Sequence, residues 1–496
     1  MEPPGSADKA NPKEYMLKSR GSPEIAVAGK PVEARRPDQR GTPTDGRMGK
    51  TRVLALSTIG FTLAFAVWMM FGVLGVPIRK ELGLSDVELG WLLAASVLSG
   101  SLLRLPFGVL TDLYGGRVVF SSLLLVVAVP TFLVSTAHSY MALLGYALLF
   151  GLAGNTFSVG IAWCSAWYPK ERQGFALGTF GAGNVGASVT KLIGPGLIAI
   201  VPAAGLLGGF LPGGWRIVPV LYAVMLVIMA AAIWWLSPNP DRKPGSGRSS
   251  IEMLRPLRNV RVWRFGLYYV VVFGAYVALA LWLPKYYVDV FGLSLQSAAL
   301  LTALFIFPAS LMRPPGGWLT DVLGARPVMY VVFGAMTAST FLLYLPGVVT
   351  SPWIFTALMV VVGVVMGVGK AAVYKYIPEY FPKDVGAVGG HVGLLGALGG
   401  FFLPPVFGYM RVWTGQPQSI FLVLCLLSAA SLIWLHLVVL SIRRSGVSQP
   451  RHGFETVADS RGPSEALPIY PAAAQSDVPP PTAKPLGSMV VDKHPN

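Results

Sequence analysis

Arg104 and Arg313 carry the sharpest chemical signal in the sequence. Each stands well inside a long apolar run, about two helical turns before an aspartate in a polar loop. An arginine at the centre of a membrane helix costs about 2.5–3.5 kcal/mol on insertion scales, so it needs a reason to be there. No acidic residue lies in the middle of the first, second, fourth, fifth, seventh, eighth or eleventh apolar run to neutralise the pair. Planar, permanently charged guanidinium groups suit a small oxyanion held by forked hydrogen bonds. Snorkelling or capping of carbonyls at a helix end is the plainer use of the same side chains.

Two glycine-rich runs form the second signal. One carries Gly178, Gly181, Gly183, Asn184, Gly186 and Ser188; the other carries Gly389, Gly390, His391, Gly393, Gly396, Gly399 and Gly400. Glycines at steps of three and four make a smooth helix face along which neighbouring backbones approach closely. Packing alone accounts for most of them. Asn184 is different, because an amide within such a face has no reason to meet lipid.

These residues sit in a duplicated frame. Ser101–Arg117 and Ser310–Arg326 are identical at ten of seventeen positions at a constant offset of 209, which aligns Arg104 with Arg313. Both segments contain Gly-x-x-x-Asp-x-x-Gly-x-Arg, with Asp112 and Arg117 in the first and Asp321 and Arg326 in the second. A second pair, Tyr168-Pro-Lys-Glu171 and Phe381-Pro-Lys-Asp384, repeats at an offset of 213. Two halves repeated in the same orientation, six helices each, form the parallel-repeat transporter plan, with substrate near mid-membrane between the halves. In that plan Asp112, Arg117, Asp321 and Arg326 are gating candidates, since their contacts with charges or helix ends can differ between states. A topological anchor is the simpler role.

Composition agrees. Hydrophobic residues make up 53% of the 496 and charged residues 12%, against about 25% charge in a soluble domain. Runs of about 18 or more apolar residues read as membrane-spanning helices. Twelve are expected, at about 53–76, 88–110, 118–136, 141–167, 174–201, 215–236, 263–288, 297–319, 327–346, 353–377, 386–409 and 418–441. The fold class is an all-α membrane protein of two pseudo-symmetric six-helix bundles, 51–236 and 263–441. A linker at 237–262 joins them, and tails at 1–50 and 442–496 are expected to be disordered, having little apolar surface to bury.

The net charge of +16 gathers in the first tail and in a stretch holding Arg242, Lys243, Arg248, Arg255, Arg258 and Arg261. That is the positive-inside pattern, which puts linker and both tails in the cytoplasm. It is no basic groove, so nucleic-acid binding is excluded. The first tail lacks the pattern of a cleavable signal peptide. Cys164 and Cys425 are both inside apolar runs, and no metal or cofactor spacing and no catalytic constellation is found; the chain is expected not to be an enzyme.

The two glycine-rich runs, each after a Pro-Lys-acid turn, together with Arg104 and Arg313, resemble the nitrate/nitrite porter family of the major facilitator superfamily. The likeness runs from about 53 to 441. The family's nitrate motif matches Gly181-Ala-Gly183-Asn184-Val-Gly186 and, more loosely, Gly393-Leu-Leu-Gly396-Ala-Leu-Gly399-Gly400. The resemblance implies that Arg104 and Arg313 grip nitrate or nitrite from either side. Asn184 and Tyr269 would add polar contacts, and Phe157 and Phe273 would sandwich the flat anion. It implies residence in the cytoplasmic membrane of a bacterium.

Proton-coupled nitrate uptake by alternating access is the expected function, and nitrate/nitrite exchange is the alternative. Transport of another small or organic anion such as a carboxylate is the second alternative, since paired arginines suit that too. Two unneutralised arginines in one cavity resist closing around an empty site, which favours exchange of nitrate for nitrite. The offset of 213 makes Lys370 the counterpart of Phe157, so Lys370 is expected to approach the site from the other half. There, anion binding would favour proton binding, and proton-linked nitrate uptake would follow. His391 is a rival proton carrier. The expected partners are nitrate, nitrite, protons and the lipid bilayer, and a monomer is the expected state.

Overall fold

The computed structural model describes residues 43–202, 205, 211–244, 255–348, 351–381 and 385–444. Within them the chain runs through twelve helical spans. The first half contains α1 (Pro43–Trp68, continued by Phe71–Leu82), α2 (Asp86–Leu102 and Arg104–Tyr114) and α3 (Gly116–Val134). It then contains α4 (Tyr140–Phe150 to Thr156–Trp167), α5 (Lys170–Gly181 to Gly186–Ile200) and α6 (Ile217–Leu236). The second half contains α7 (Val260–Tyr269 to Ala275–Phe291), α8 (Leu295–Leu311 and Arg313–Leu323) and α9 (Ala325–Tyr344). It ends with α10 (Pro352–Tyr380), α11 (Val385–Thr414) and α12 (Ser419–Arg444).

Nine of these are by themselves long and apolar enough to cross a membrane, and α2 and α8 join them once their bent halves are taken together. The interrupted α5 is the twelfth. Most of both tails, 245–254 of the linker, and the Pro-Lys-Asp of the second turn at 382–384 lie outside the described residues. The helix α1 already begins at Pro43, inside the stretch expected as tail.

The repeat seen in sequence is repeated in backbone geometry. α2 bends by 41° at Leu103 and α8 by 42° at Met312, each directly before its arginine. Each then ends on a glycine, Gly115 at φ 89° and Gly324 at φ 86°. A side chain would strain that backbone, which explains the second glycine of each loop motif.

Helix irregularities gather at mid-span. α1 breaks at Met69–Met70, α4 tightens to 3-10 over Gly151–Asn155, α5 does so over Ala182–Val185, and α7 carries a π-turn over Val270–Gly274. Such departures free or re-aim backbone groups and recur where a membrane protein lines a pathway.

At the end of the bundle away from the termini, the halves are drawn together by five charges. Asp86 of α2 meets Arg79 at 3.0 Å, Lys285 at 2.9 Å and Arg411 at 3.0 Å. Asp289 meets the same three, at 3.0 Å, 2.6 Å and 2.8 Å. Backbones cross closely beside this cluster. A Cβ on Gly90 would lie 2.7 Å from the Pro404 carbonyl, and one on Gly408 2.8 Å from that of Asp86. This end is closed. Nearer the termini, Gly108, Gly178 and Gly317 face open space.

Candidate functional site

The bends in α2 and α8 deliver both arginines to the centre of the bundle. Arg104 is buried, and its Nε donates to the Gly100 carbonyl at 3.1 Å. Its Nη1 donates across the halves to the Gly393 carbonyl of α11 at 2.9 Å. Arg313 donates from Nη2 to the Tyr269 hydroxyl at 3.1 Å, while its Nη1 is buried without a partner. That free Nη1 lies 3.1 Å from where a Cβ on Gly181 would stand. Each arginine therefore reaches the glycine-rich helix of the opposite half. Gly181 and Gly393 leave the room it needs.

Aromatic rings fill the space between. Phe157 has the Arg104 guanidinium 5.3 Å and the Arg313 guanidinium 6.0 Å from its centroid. Phe273 lies 5.6 Å from Arg104 and stacks on Tyr269 at 5.1 Å. Each cation–aromatic contact is worth about 0.5–2 kcal/mol, so the rings offset part of the cost of holding the buried Arg104 and the half-buried Arg313 close together. None of them neutralises a guanidinium, and no ion pair of either arginine is found among the described residues.

Asn184 is placed by the 3-10 turn of α5. It is 1% exposed, yet neither its Nδ2 nor its Oδ1 finds a partner. A buried amide left unsatisfied costs about 1–3 kcal/mol, so its donors and acceptor are unspent here. Its backbone carbonyl accepts from Tyr276 at 3.4 Å.

The other glycines have separate tasks. Gly183 and Gly186 let α5 cross α1 at Phe61 and Thr62, Gly396 lies under the Tyr269 ring, and Gly399 and Gly400 pack on Val270 and Val277. Gly178 meets nothing within 4 Å.

Lys370 is fully buried in α10. Its ammonium donates to the Ala309 carbonyl at 3.0 Å, sits 3.2 Å from the Tyr276 centroid, and lies 5.8 Å from that of Phe273. It is thus turned toward α7 and α8, one ring removed from the arginines. His391 Nδ1 donates to the Ala387 carbonyl in a local bond of 2.7 Å, and its Nε2 has no partner among the described residues.

The gating candidates stand apart from this centre, at the loops. Asp321 pairs with Lys375 at 2.6 Å. The Arg117 N–H donates to Asp241 at 2.9 Å and its guanidinium covers Trp234. Asp241 also accepts from Trp163 and Trp167, tying the first loop to the linker. Arg326 is buried at the start of α9, and Asp112 lies near the end of α2.

Sequence reasoning missed Trp68, 5.8 Å from the Arg104 guanidinium, and Tyr374, which meets Tyr269 edge-on at 5.1 Å. It also missed Tyr276. Aromatic residues in an apolar run carry no mark separating a site ring from a lipid-facing one. Tyr374 had one usable cue, its place one turn after Lys370.

Comparison with known proteins gives a consistent picture. A family model described as Major Facilitator Superfamily matches residues 56–305 and 290–471. A Thermus thermophilus protein named "Probable nitrate/nitrite antiporter NarK1" is 60% identical, covering 83% of this chain and 97% of its own. A "Nitrite extrusion protein" of Bacillus subtilis is 32% identical, covering 77% of this chain and 94% of its own. Among solved structures, a bacterial homologue of the human lysosomal transporter Spinster matches with a TM-score of 0.63 at 17% identity. That match covers 81% of this chain and 99% of the other.

Proposed function

The chain belongs to the nitrate/nitrite porter family of the Major Facilitator Superfamily, and from that premise we propose that Arg104 and Arg313 bind the nitrate or nitrite it transports. The single observation that carries this is the pair of guanidiniums closing on one Phe157 ring, with no carboxylate paired to either among the described residues. Arg313 Nη1, set against Gly181, and the Asn184 amide, three residues further along α5, supply unspent hydrogen-bonding capacity. Tyr269 and Phe273 complete the walls. The anion enters as the counter-charge and leaves when the halves rock to the other side. One chain holds the whole site, so a monomer suffices. The basic loop with Arg242, Lys243, Arg255, Arg258 and Arg261 supports placing the termini on the cytoplasmic side of a bacterial cytoplasmic membrane. The loop residues Asp112, Arg117, Asp321 and Arg326 act as the gate on that side.

Exchange of nitrate for nitrite is the mode that the charge balance supports. Without an anion, two bare guanidiniums face each other in a poorly solvated centre, and the empty carrier does not readily reorient. A proton-linked mode has one observation in its favour, the buried Lys370 ammonium held over Tyr276 and near Phe273. His391, held by a local bond, is a weaker candidate.

Uptake into proteoliposomes containing the purified protein separates these. Uptake that needs trapped nitrite and ignores an imposed proton gradient is the expected result. In that case Lys370→Gln alters the rate without creating or removing gradient dependence. Gradient-driven uptake into vesicles free of internal anion, lost in Lys370→Gln, establishes the proton-linked mode instead. No nitrate movement under either condition overturns the assignment of cargo.

Asn184 gives a test of the site itself. Its amide makes no internal bond, so Asn184→Ala is expected to leave thermal stability within about 1 kcal/mol of the parent. The KM for nitrate should rise about tenfold, the effect of losing one hydrogen bond to a charged group worth about 1.5 kcal/mol. A fall in melting temperature with unchanged KM would make Asn184 a structural residue.

A further inference from the structure

One buried charge has no part in the site described so far. Lys191 of α5 is 1% exposed, and its ammonium makes one hydrogen bond, 3.3 Å to the Met69 carbonyl at the break in α1. That oxygen already accepts from the Gly72 N–H at 3.1 Å. Among the described residues no carboxylate pairs with Lys191. An ammonium has three donors, and burying it for one long bond to a satisfied oxygen is unfavourable unless another partner arrives.

Its neighbours on the helix point the same way. Asn184, Ser188 and Lys191 follow one another at steps of four and three, so they share one face of α5. All three are buried, and neither the Asn184 amide nor the Ser188 hydroxyl has a partner. Three consecutive positions on one helix face thus hold unspent donors, at a place where lipid or ordinary packing would select apolar side chains.

The surrounding contacts locate this track. Lys191 Nζ lies 3.1 Å, and the Ala280 carbonyl 2.9 Å, from the point a Cβ on Gly72 would occupy. Lys191 therefore stands where α1 and α5 of the first half meet α7 of the second. It lies on the side of the arginines away from the termini. Seven helical residues separate it from Asn184, about 10 Å along the axis. When the halves part at that end, α7 withdraws from Gly72 and uncovers the ammonium.

We propose that Lys191 and Ser188, with Asn184 at its inner limit, form a second anion station on the pathway, which receives the anion from the side away from the termini and passes it to Arg104 and Arg313. The inference rests on the nitrate reading above. The station acts in only one of the two open states, because the closed end seen here seals it behind Ala280.

The experiment is side-resolved kinetics in vesicles of known protein orientation, with nitrate applied to either face. Lys191→Gln is expected to raise the KM by about tenfold or more from the face away from the termini. From the terminal face the KM should stay within about twofold, and Lys191→Arg should restore the first value. Equal changes from both faces, or a lower Vmax with a lower melting temperature, would make Lys191 only a clamp on the α1 break and overturn the proposal. A second variant guards against misfolding. Lys191→Cys, made in a chain carrying Cys164→Ser and Cys425→Ser, is treated from that face with 2-aminoethyl methanethiosulfonate, which restores an ammonium. Protection from this reagent by nitrate, and recovery of uptake after labelling, are expected; labelling at the same rate with and without nitrate overturns the station. If the parent protein carries no nitrate at all, the cargo assignment fails instead, and the two failures are told apart in the same vesicles.

Discussion

Replacing Arg313 by glutamine is expected to abolish measurable nitrate uptake while the protein still inserts and folds. Truncating one partner of a desolvated charged contact costs about 2–5 kcal/mol, a loss of affinity of roughly 30- to several-thousand-fold. Arg313→Lys separates charge from shape. Lysine keeps the positive charge but lacks the fork, so it cannot hold the Tyr269 hydroxyl and an anion oxygen in one plane. Its KM for nitrate should rise about tenfold, with a weaker preference for nitrate over chloride. Uptake competition in proteoliposomes reads both quantities. A lysine variant with the parent's KM and selectivity would mean that only charge matters at this position. Arg104→Lys should be the more damaging of the two lysine changes. Arg104 also spends Nε and Nη1 on the Gly100 and Gly393 carbonyls, so lysine there loses an inter-half contact as well.

The second large effect comes from a residue that touches no anion. Gly396→Ala should reduce nitrate uptake by about 10- to 100-fold, the loss of one hydrogen bond to a charged group worth about 1.5–3 kcal/mol. On an isolated helix the change would help, since alanine is favoured over glycine by about 1 kcal/mol. Packing decides otherwise here. The new methyl would strike the Tyr269 ring, lying 2.8 Å from its Cγ and 2.9 Å from its Cβ. The ring must leave, taking its hydroxyl from Arg313 and its face from Phe273. A double-mutant cycle tests this route. If Tyr269→Ala is already present, adding Gly396→Ala should cost little more, because no ring remains to displace. Additive losses would show that Gly396 acts through something other than Tyr269.

Much of this was legible in the sequence, for identifiable reasons. Arg104 and Arg313 stand out because a cation in an apolar run is costly wherever it occurs, and the 209-residue repeat makes them a pair. Asn184 stands out because it interrupts glycines. The second glycine of each loop motif, Gly115 and Gly324, is explained by backbone alone. Lys191 is as costly as the arginines, yet it has no repeat partner to draw attention to it. Ser188 looks like one more small residue in a smooth face until its hydroxyl is found without a partner. The glycine-rich pattern likewise predicts closeness without saying to what. Gly181 and Gly393 border guanidiniums, whereas Gly178 borders nothing. Least legible was the charge cluster at the closed end, whose members come from α1, α2, α7 and α11 and meet only after folding.

That cluster also makes the two faces of the protein electrically unlike. Opening it returns Arg79 and Asp86 to one half as a neutral pair, while Lys285, Asp289 and Arg411 stay on the other with one positive charge in excess. Of the cluster's charges, the excess on the second-half lip attracts anions from within a Debye length, about 8 Å at physiological salt. Salt that screens this attraction also weakens the ion pairs that must re-form at closure. Raising the ionic strength is therefore expected to weaken both the attraction of anions to this mouth and the ion pairs that close it.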